Sequence, residues 1–390
     1  MEDIYRQIDK LYSEMVNMRR YFHQHPELSF QEVETPERIA AYLEELGIEV
    51  RRNVGGRGVV GYIRGNKPGK TVALRADFDA LPIQDDKDVP YRSTVPGVMH
   101  ACGHDAHTAI LLAVAKVLSG MTEELSGNVV LIHQFAEELA PGGALPMIED
   151  HCLEGVDAIF GTHVWTPLPI GTVGVRAGAI MASADKFEIE IIGRGGHGAS
   201  PHETVDPIVV GTTVIQQLQQ IISRRINPLH PAVLTVATFH AGQAFNVIPT
   251  SASISGTVRT LDKDVQQQII EQMEKIISTV CEGAGANYRF DYTKGYPPVI
   301  NHSKETDRLV EISRQVVGSA NTLEVEPNMG GEDFAYYLQK VPGAFFFTGA
   351  GNPDTGAAYP HHHSMFDIDE KSMLIAAKVL LSTALDYLNA

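Results

Sequence analysis

Between Met99 and Thr108 the chain reads Met-His-Ala-Cys-Gly-His-Asp-Ala-His-Thr. Cys102, His104, Asp105 and His107 fall within six residues, just ahead of an apolar helical run. Thiolate and imidazole donors crowded together suit a transition metal of borderline softness. Further along come Glu137-Glu138 at the end of an apolar strand, then His163, then the run His361-His362-His363. Taken singly, each has a duller reading. A lone cysteine in a core is usually a small hydrophobe, and paired glutamates usually face solvent. Together, each at the end of a core-type segment, they form a candidate metal site.

Cys102, His104, Glu138, His163 and one histidine of the 361–363 run make five donors. One catalytic zinc uses about three protein ligands and keeps a position open. Five donors fit two metals that share a ligand. Carboxylates and thiolates bridge metals and neutral imidazoles normally do not, so Cys102 is the expected bridge, its thiol pKa lowered by the metals. Such a pair activates water and polarises a carbonyl together. The water also needs a base, and Glu137 is the candidate. Neighbours on a regular strand point to opposite faces. Glu137 and Glu138 can therefore share a site only where the strand ends and the backbone turns, and Ala140-Pro141-Gly142-Gly143 is expected to supply that turn.

These residues must be positioned by a large chain. It has 390 residues, 44% hydrophobic and 20% charged, which predicts a globular protein of more than one domain. A formal net charge of −17 with no basic cluster argues against nucleic acid and against an anionic membrane surface as partners. Three widely spaced cysteines fit a reducing compartment. No signal-peptide pattern and no bilayer-length apolar run is evident. A soluble cytoplasmic protein is the expectation.

Helical spacing runs from Ile4 to Phe22, ending before Pro26, and again from Thr35 to Leu46. Apolar strands are read at Val59–Ile63, Thr71–Leu74, Val129–Ile132, Ala158–Phe160 and Ala344–Thr348. Helices are read at His107–Leu118, Gly143–Asp150, Lys304–Val317 and Glu370–Leu388. Buried-looking strands alternating with helices predict an α/β domain with a mostly parallel sheet, which binds ligands at its strand ends. Near Met181 the pattern changes. Phe187–Ile191 alternates apolar with polar residues. A helix over 207–226, strands over 233–239 and 252–258, a helix over 263–282 and a strand over Tyr288–Tyr292 complete a ferredoxin-like βαββαβ order. The expected organisation is a metal-binding domain from 1–182 and 296–390, with 183–295 inserted as a lid.

The same stretches resemble the amidohydrolase branch of the aminoacylase/carboxypeptidase family of dinuclear metallohydrolases. That branch holds bacterial N-acyl-L-amino-acid amidohydrolases, hippurate hydrolases, N-acetyldiaminopimelate deacetylases and plant auxin-conjugate hydrolases. The resemblance covers nearly the whole chain. It rests on Arg19 to Ser29, Arg75-Ala76-Asp77, Met99 to Thr108, Glu137 to Gly143, Gly161-Thr162-His163, Gly193 to Pro201, Gly330 to Phe334 and Pro360 to Phe366.

The resemblance implies that His362, four residues before Phe366, is the ligand of the histidine run. It implies Glu137 as base and Glu138 as ligand. It also implies His197, in Gly195-Gly196-His197-Gly198, as a helper at the oxyanion, often from the partner subunit of a dimer. Asn246 and Arg259 match positions that bind the substrate's carboxylate. Other branches carry a metal-binding His-x-Asp where this chain has Arg75 to Asp79 without histidine. His104 then takes that ligand's part, and Asp77 or Asp79 is left to orient a ligand.

His107 reads as a support for the metal loop, His23 and His25 as structural, and Cys152 and Cys281 as packing residues. The expectation is hydrolysis of N-acyl-L-amino acids by a homodimer or higher homo-oligomer. Two divalent metals serve each chain, zinc first, with manganese, cobalt or nickel as alternatives. Competing expectations are another amide (hippurate, acetyldiaminopimelate or a dipeptide) and a metal-binding protein without catalysis.

Overall fold

A computed structural model describes residues 2–390. Two units emerge from its contacts. The first runs to Gly178 and resumes over Ile300–Glu326 and Asp333–Ala390; the second comprises Ala179–Val299 and Pro327–Glu332.

The first unit is built on an eight-stranded sheet. In spatial order the strands are Glu49–Val54, Gly58–Arg64, Ser126–Gln134, Lys67–Asp77, Ala158–Pro169, Gly343–Gly351, Val173–Val175 and Thr322–Glu324. The four central strands are mutually parallel. Gly343–Gly351 is buried along its whole length, as a strand covered on both faces must be, which is why such strands read as apolar runs rather than alternations. Helices His104–Ser119 and Ser372–Leu388 pack on each other and on the strand Lys67–Asp77.

Two helices depart from the expected bounds, and both departures have local causes. The N-terminal helix divides into Glu2–Lys10 and Tyr12–Gln24. The Leu11 amide donates to Ile8 O at 3.0 Å, three residues back, so one tight 3₁₀ turn interrupts the α ladder. The helix expected from His107 starts at His104. Gly103 adopts φ 101° there, and a Cβ on it would lie 2.3 Å from Val164 Cγ2. Only glycine meets both conditions. With the start at His104, His104 and His107 stand one turn apart on the same helix face.

In the second unit the spatial order is Ala232–Ala241, Ser251–Thr260, Ala184–Ile192, Asn287–Tyr296, all antiparallel. Helices Pro207–Arg224 and Lys263–Ala284 pack against it, giving the βαββαβ ferredoxin-like arrangement. Phe187, Ile189 and Ile191 of the alternating strand meet Leu218, Ile269, Met273 and Ile277 of the helices in a separate core. Both helices are started by aspartates. Asp206 accepts from the Ile208 amide at 2.9 Å, and Asp262 from the Asp264 amide at 2.7 Å. Among the described residues, no helix is long and apolar enough to cross a membrane.

Candidate metal centre

The candidate ligands lie along and just beyond the central strands: His163 within Ala158–Pro169, His104 at the first position of its helix, and Cys102, Glu138 and His362 in loops. Cys102 Sγ lies 3.4 Å from His163 Nε2. Cys102, His104 and Glu138 each offer a ligand atom within 4.8 Å of the others. Glu138 Oε1 is 3.8 Å from His104 Nε2, and Glu138 Oε2 is 3.3 Å from His362 Nε2. Cys102, His104, Glu138, His163 and His362 therefore share one place. Glu137 joins them, with Oε2 3.9 Å from His104 Nε2.

How two consecutive glutamates reach one histidine is a matter of backbone. The strand stops at Gln134, and Ala136 takes the left-handed conformation at φ 51°. That single residue breaks the alternation of faces. The reversal thus comes before the glutamates, and Ala140–Gly143, expected to supply it, follows them. The loop after Pro26 braces the corner: Glu32 Oε1 accepts the Ala136 amide at 2.9 Å. A second left-handed residue is His362 itself, at φ 64°, with its amide donating to Ala101 O at 2.8 Å. It separates the directions of His361 and His362.

His104 and His163 are each committed through the far nitrogen. His104 Nδ1 lies 3.0 Å from Asp79 O and 3.1 Å from Asp79 Oδ1, so that nitrogen donates and Nε2 is left for the site. His163 Nδ1 donates to Val164 O at 2.6 Å, which leaves Nε2 facing Cys102. His107 Nε2 accepts the Val164 amide at 2.9 Å, and its Nδ1 donates to Asp77 Oδ1 at 2.6 Å. The two aspartates thereby divide their work. Asp79 holds His104 and, through Oδ2, the Glu138 amide at 2.9 Å, while Asp77 holds His107 and is paired with Arg75. Ser29 Oγ donates to Asp79 Oδ2 at 2.7 Å.

The electrostatics point one way. Burial, then the Glu138 and Glu137 carboxylates, push the Cys102 thiol well above its ordinary range. Burial opposes protonation of His104, yet Asp77, Asp79 and Glu138 lift it to about 10. An acid and a base that both hold their protons too tightly mark a site short of positive charge. His104 Nε2 and Glu138 Oε1 are also buried without hydrogen-bond partners. Orphaned donors in a negative field, one thiol and several imidazoles among them, fit divalent cations that displace those protons.

Around the centre runs a buried ionic scaffold. Arg19 is fully buried, with Asp105 at 2.8 Å, Asp367 at 2.7 Å and Glu370 at 3.2 Å. His23, read from the sequence as structural, sits between Asp105 at 2.7 Å and Asp85 at 3.2 Å. His25 is exposed and stacks on Tyr21. Arg19 links the first turn of the helix that starts at His104 to the segment just after His362. The residue pattern gave no role to Arg19, Ser29 or Glu32, and left His361 as a ligand candidate that the resemblance passed over for His362. Ser29 and Glu32 follow the Pro26 turn, where polar residues look like ordinary loop chemistry.

In the second unit, His197 and Asn246 come together. His197 pairs with Val247 in a two-residue ribbon, and Asn246 O accepts the Gly198 amide at 2.9 Å. His197 and Asn246 are exposed. Arg259 is half-buried on Ser251–Thr260, beside Gly331, where a Cβ would lie 3.2 Å from its Nη1. Burial lowers its guanidinium pKa, against the pull of Asp185.

The family model described as Peptidase family M20/M25/M40 matches residues 73–386. YhaA of Bacillus subtilis (strain 168), a protein with a provisional amidohydrolase name, is 54% identical over 386 residues, covering 99% of this chain and 98% of that protein. An N-acyl-L-amino acid amidohydrolase of Geobacillus stearothermophilus is 44% identical over 308 residues, covering 79% of this chain and 83% of that protein. Among solved structures, the YXEP protein of Bacillus subtilis, described as a dinuclear metal-binding peptidase of the M20 family, superposes with a TM-score of 0.86 at 38% identity. The match covers 98% of this chain and 99% of that one.

Proposed function

The chain belongs to peptidase family M20/M25/M40, and from that premise we propose that it hydrolyses the amide bond of N-acyl-L-amino acids, releasing a carboxylate and a free amino acid. The observation that carries the reading is the Glu137–Glu138 corner. Left-handed Ala136 brings two carboxylates to one histidine, so one can hold metal while the other handles a proton. The names of the relatives, an N-acyl-L-amino acid amidohydrolase and an N-acetylcysteine deacetylase, support the same substrate class.

In this proposal Cys102, His104, Glu138, His163 and His362 hold two divalent cations, with zinc favoured by the thiolate and imidazole donors and manganese, cobalt or nickel as alternatives. When bound, the cations acidify water and polarise the scissile carbonyl. Glu137 takes the proton of the attacking water and passes it to the leaving nitrogen. His104 and His163 keep fixed orientations, because Asp79 and Val164 O hold their Nδ1–H groups.

Of the residues in the second unit, His197 is assigned to the developing oxyanion. Arg259 is assigned to a bidentate hold on the amino acid's carboxylate, with Asn246 beside it. The inserted unit is assigned a lid and dimerisation role, and the working form a homodimer or higher homo-oligomer. A cytoplasmic location agrees with the three free, buried cysteines.

The test is turnover of a panel of N-acyl amino acids by metal-loaded protein, with Glu137→Ala beside it. The proposal expects hydrolysis that disappears in the variant while bound metal is retained. Two metals bound and no turnover on any substrate would overturn it.

A further inference from the structure

Three consecutive histidines leave open what the other two do. His361 is the informative one. Its ring lies on Trp165, with centroids 4.6 Å apart and planes at 23°, and against Phe366 at 4.9 Å. Its Nδ1 is 3.8 Å from Cys102 Sγ. On distance alone it groups with Cys102 and His163 as a possible ligand set.

Hydrogen bonding decides otherwise. Nε2 of His361 is 3.3 Å from the backbone nitrogen of Thr166, which can only donate. Nε2 must therefore be the unprotonated nitrogen, and the ring's single proton sits on Nδ1, aimed at the sulfur. A metal on Nδ1 would need the lone pair there. The proton would then move to Nε2, directly against the Thr166 N–H. His163 is the mirror case: its Nδ1–H is spent on Val164 O, so its lone pair is the one that faces Cys102. The two rings are the same Nδ1–H tautomer but flank the sulfur in opposite orientations, His163 turning its Nε2 lone pair to it and His361 its Nδ1 proton.

We propose that His361 is a positioning residue that donates an N–H···S hydrogen bond to the Cys102 thiolate, tempering the donor strength of a sulfur that faces Glu137 and Glu138. The proposal rests on the reading that Cys102 is a metal ligand. It assigns consecutive histidines separate tasks: His362 presents a lone pair, His361 a proton.

Cobalt(II) is the probe, because the thiolate-to-cobalt charge-transfer band reports sulfur donor strength directly. The measurements are cobalt stoichiometry and band position for the parent, His361→Phe, His361→Asn, His361→Gln and Cys102→Ser. Phenylalanine keeps the stacking and loses the donor. Asparagine offers an N–H near the Nδ1 position, whereas glutamine reaches toward the Thr166 side. The expected result is full cobalt stoichiometry in all three His361 variants. The band moves to longer wavelength in His361→Phe and His361→Gln and stays near the parent's in His361→Asn. Loss of a cobalt equivalent in His361→Phe would make His361 a ligand and overturn the proposal. An unmoved band in both His361→Phe and His361→Gln would overturn it as well. A parent without the band, or a band that persists in Cys102→Ser, would instead sink the reading of Cys102 as a ligand. Should the phenylalanine variant fail to fold, the asparagine and glutamine pair carries the same contrast.

Discussion

The two units treat their chemistry-bearing side chains in opposite ways. In the parallel-sheet unit every candidate ligand histidine but the half-exposed His362 is buried and tied by its far nitrogen to Asp79 or Val164 O. In the ferredoxin-like unit His197 and Asn246 stand exposed on a two-residue ribbon. The difference separates two requirements. A metal centre must hold its geometry before anything binds, so its ligands need second partners. The exposed His197 ring accepts the Ala199 amide on Nδ1 at 3.0 Å, and under the proposed function its other nitrogen is the one that meets substrate.

The comparison can be broken most forcefully at Glu137. Glu137→Ala should cost about 10²–10⁴ in kcat, the range of general acid–base catalysis, with metal content unchanged. Turnover and metal analysis on one preparation read both. A variant that lost metal instead would make Glu137 part of the holding machinery.

Next comes Asp79→Asn. One carboxylate serves the His104 ring, the Glu138 amide and Ser29. Its loss should weaken metal binding by about 10–100-fold in a chelator competition. Ala substitution of His197 should leave that competition untouched, which is the sharpest statement of the contrast between units.

The parallel-sheet unit should also be the acid-sensitive one. His133 is buried with no hydrogen-bond partner on either ring nitrogen, and burial lowers its pKa to about 3. The folded value lies below that of the unfolded chain, so protons favour unfolding. The stability is present above about pH 6.5 and is lost as pH falls toward 3. Between pH 7 and pH 5 the loss is about 2 kcal/mol from this one ring. Thermal unfolding of His133→Leu at the two pH values should show a flatter dependence than the parent; an equally steep one would place the sensitivity elsewhere.

Smallest is the effect expected at Arg259. Arg259→Lys keeps the charge and loses the fork, so KM for N-acyl amino acids should rise about tenfold, roughly 1.4 kcal/mol. A fall in kcat with unchanged KM would remove it from substrate binding.

Much of this was readable from residue types. Apolar runs located the central strands, and alternation located the strand at Phe187–Ile191. The short edge strands Glu49–Val54 and Thr322–Glu324 were not read, because partly exposed positions carry no strong pattern. At the site, residue types fixed which groups gather but not how. Alanine has no preference for φ 51°, so nothing in the sequence marks Ala136 as the turning point. His361 and His362 are the same residue type; the resemblance could choose between them by position, but the physical distinction is the left-handed backbone at His362 and the Thr166 amide on His361. Asp77 and Asp79, two apart at a strand end, were equally indistinguishable until their histidine partners were seen.

The central claim concerns which atoms hold metal. The direct measurement is a crystal structure of zinc-loaded protein with anomalous data collected above the zinc edge. The account predicts two peaks, both in contact with Cys102 Sγ and shared among His104, Glu138, His163 and His362, with Glu137 and His361 off both metals. A single peak, or one bonded to His361 Nδ1 or to Glu137, would contradict it.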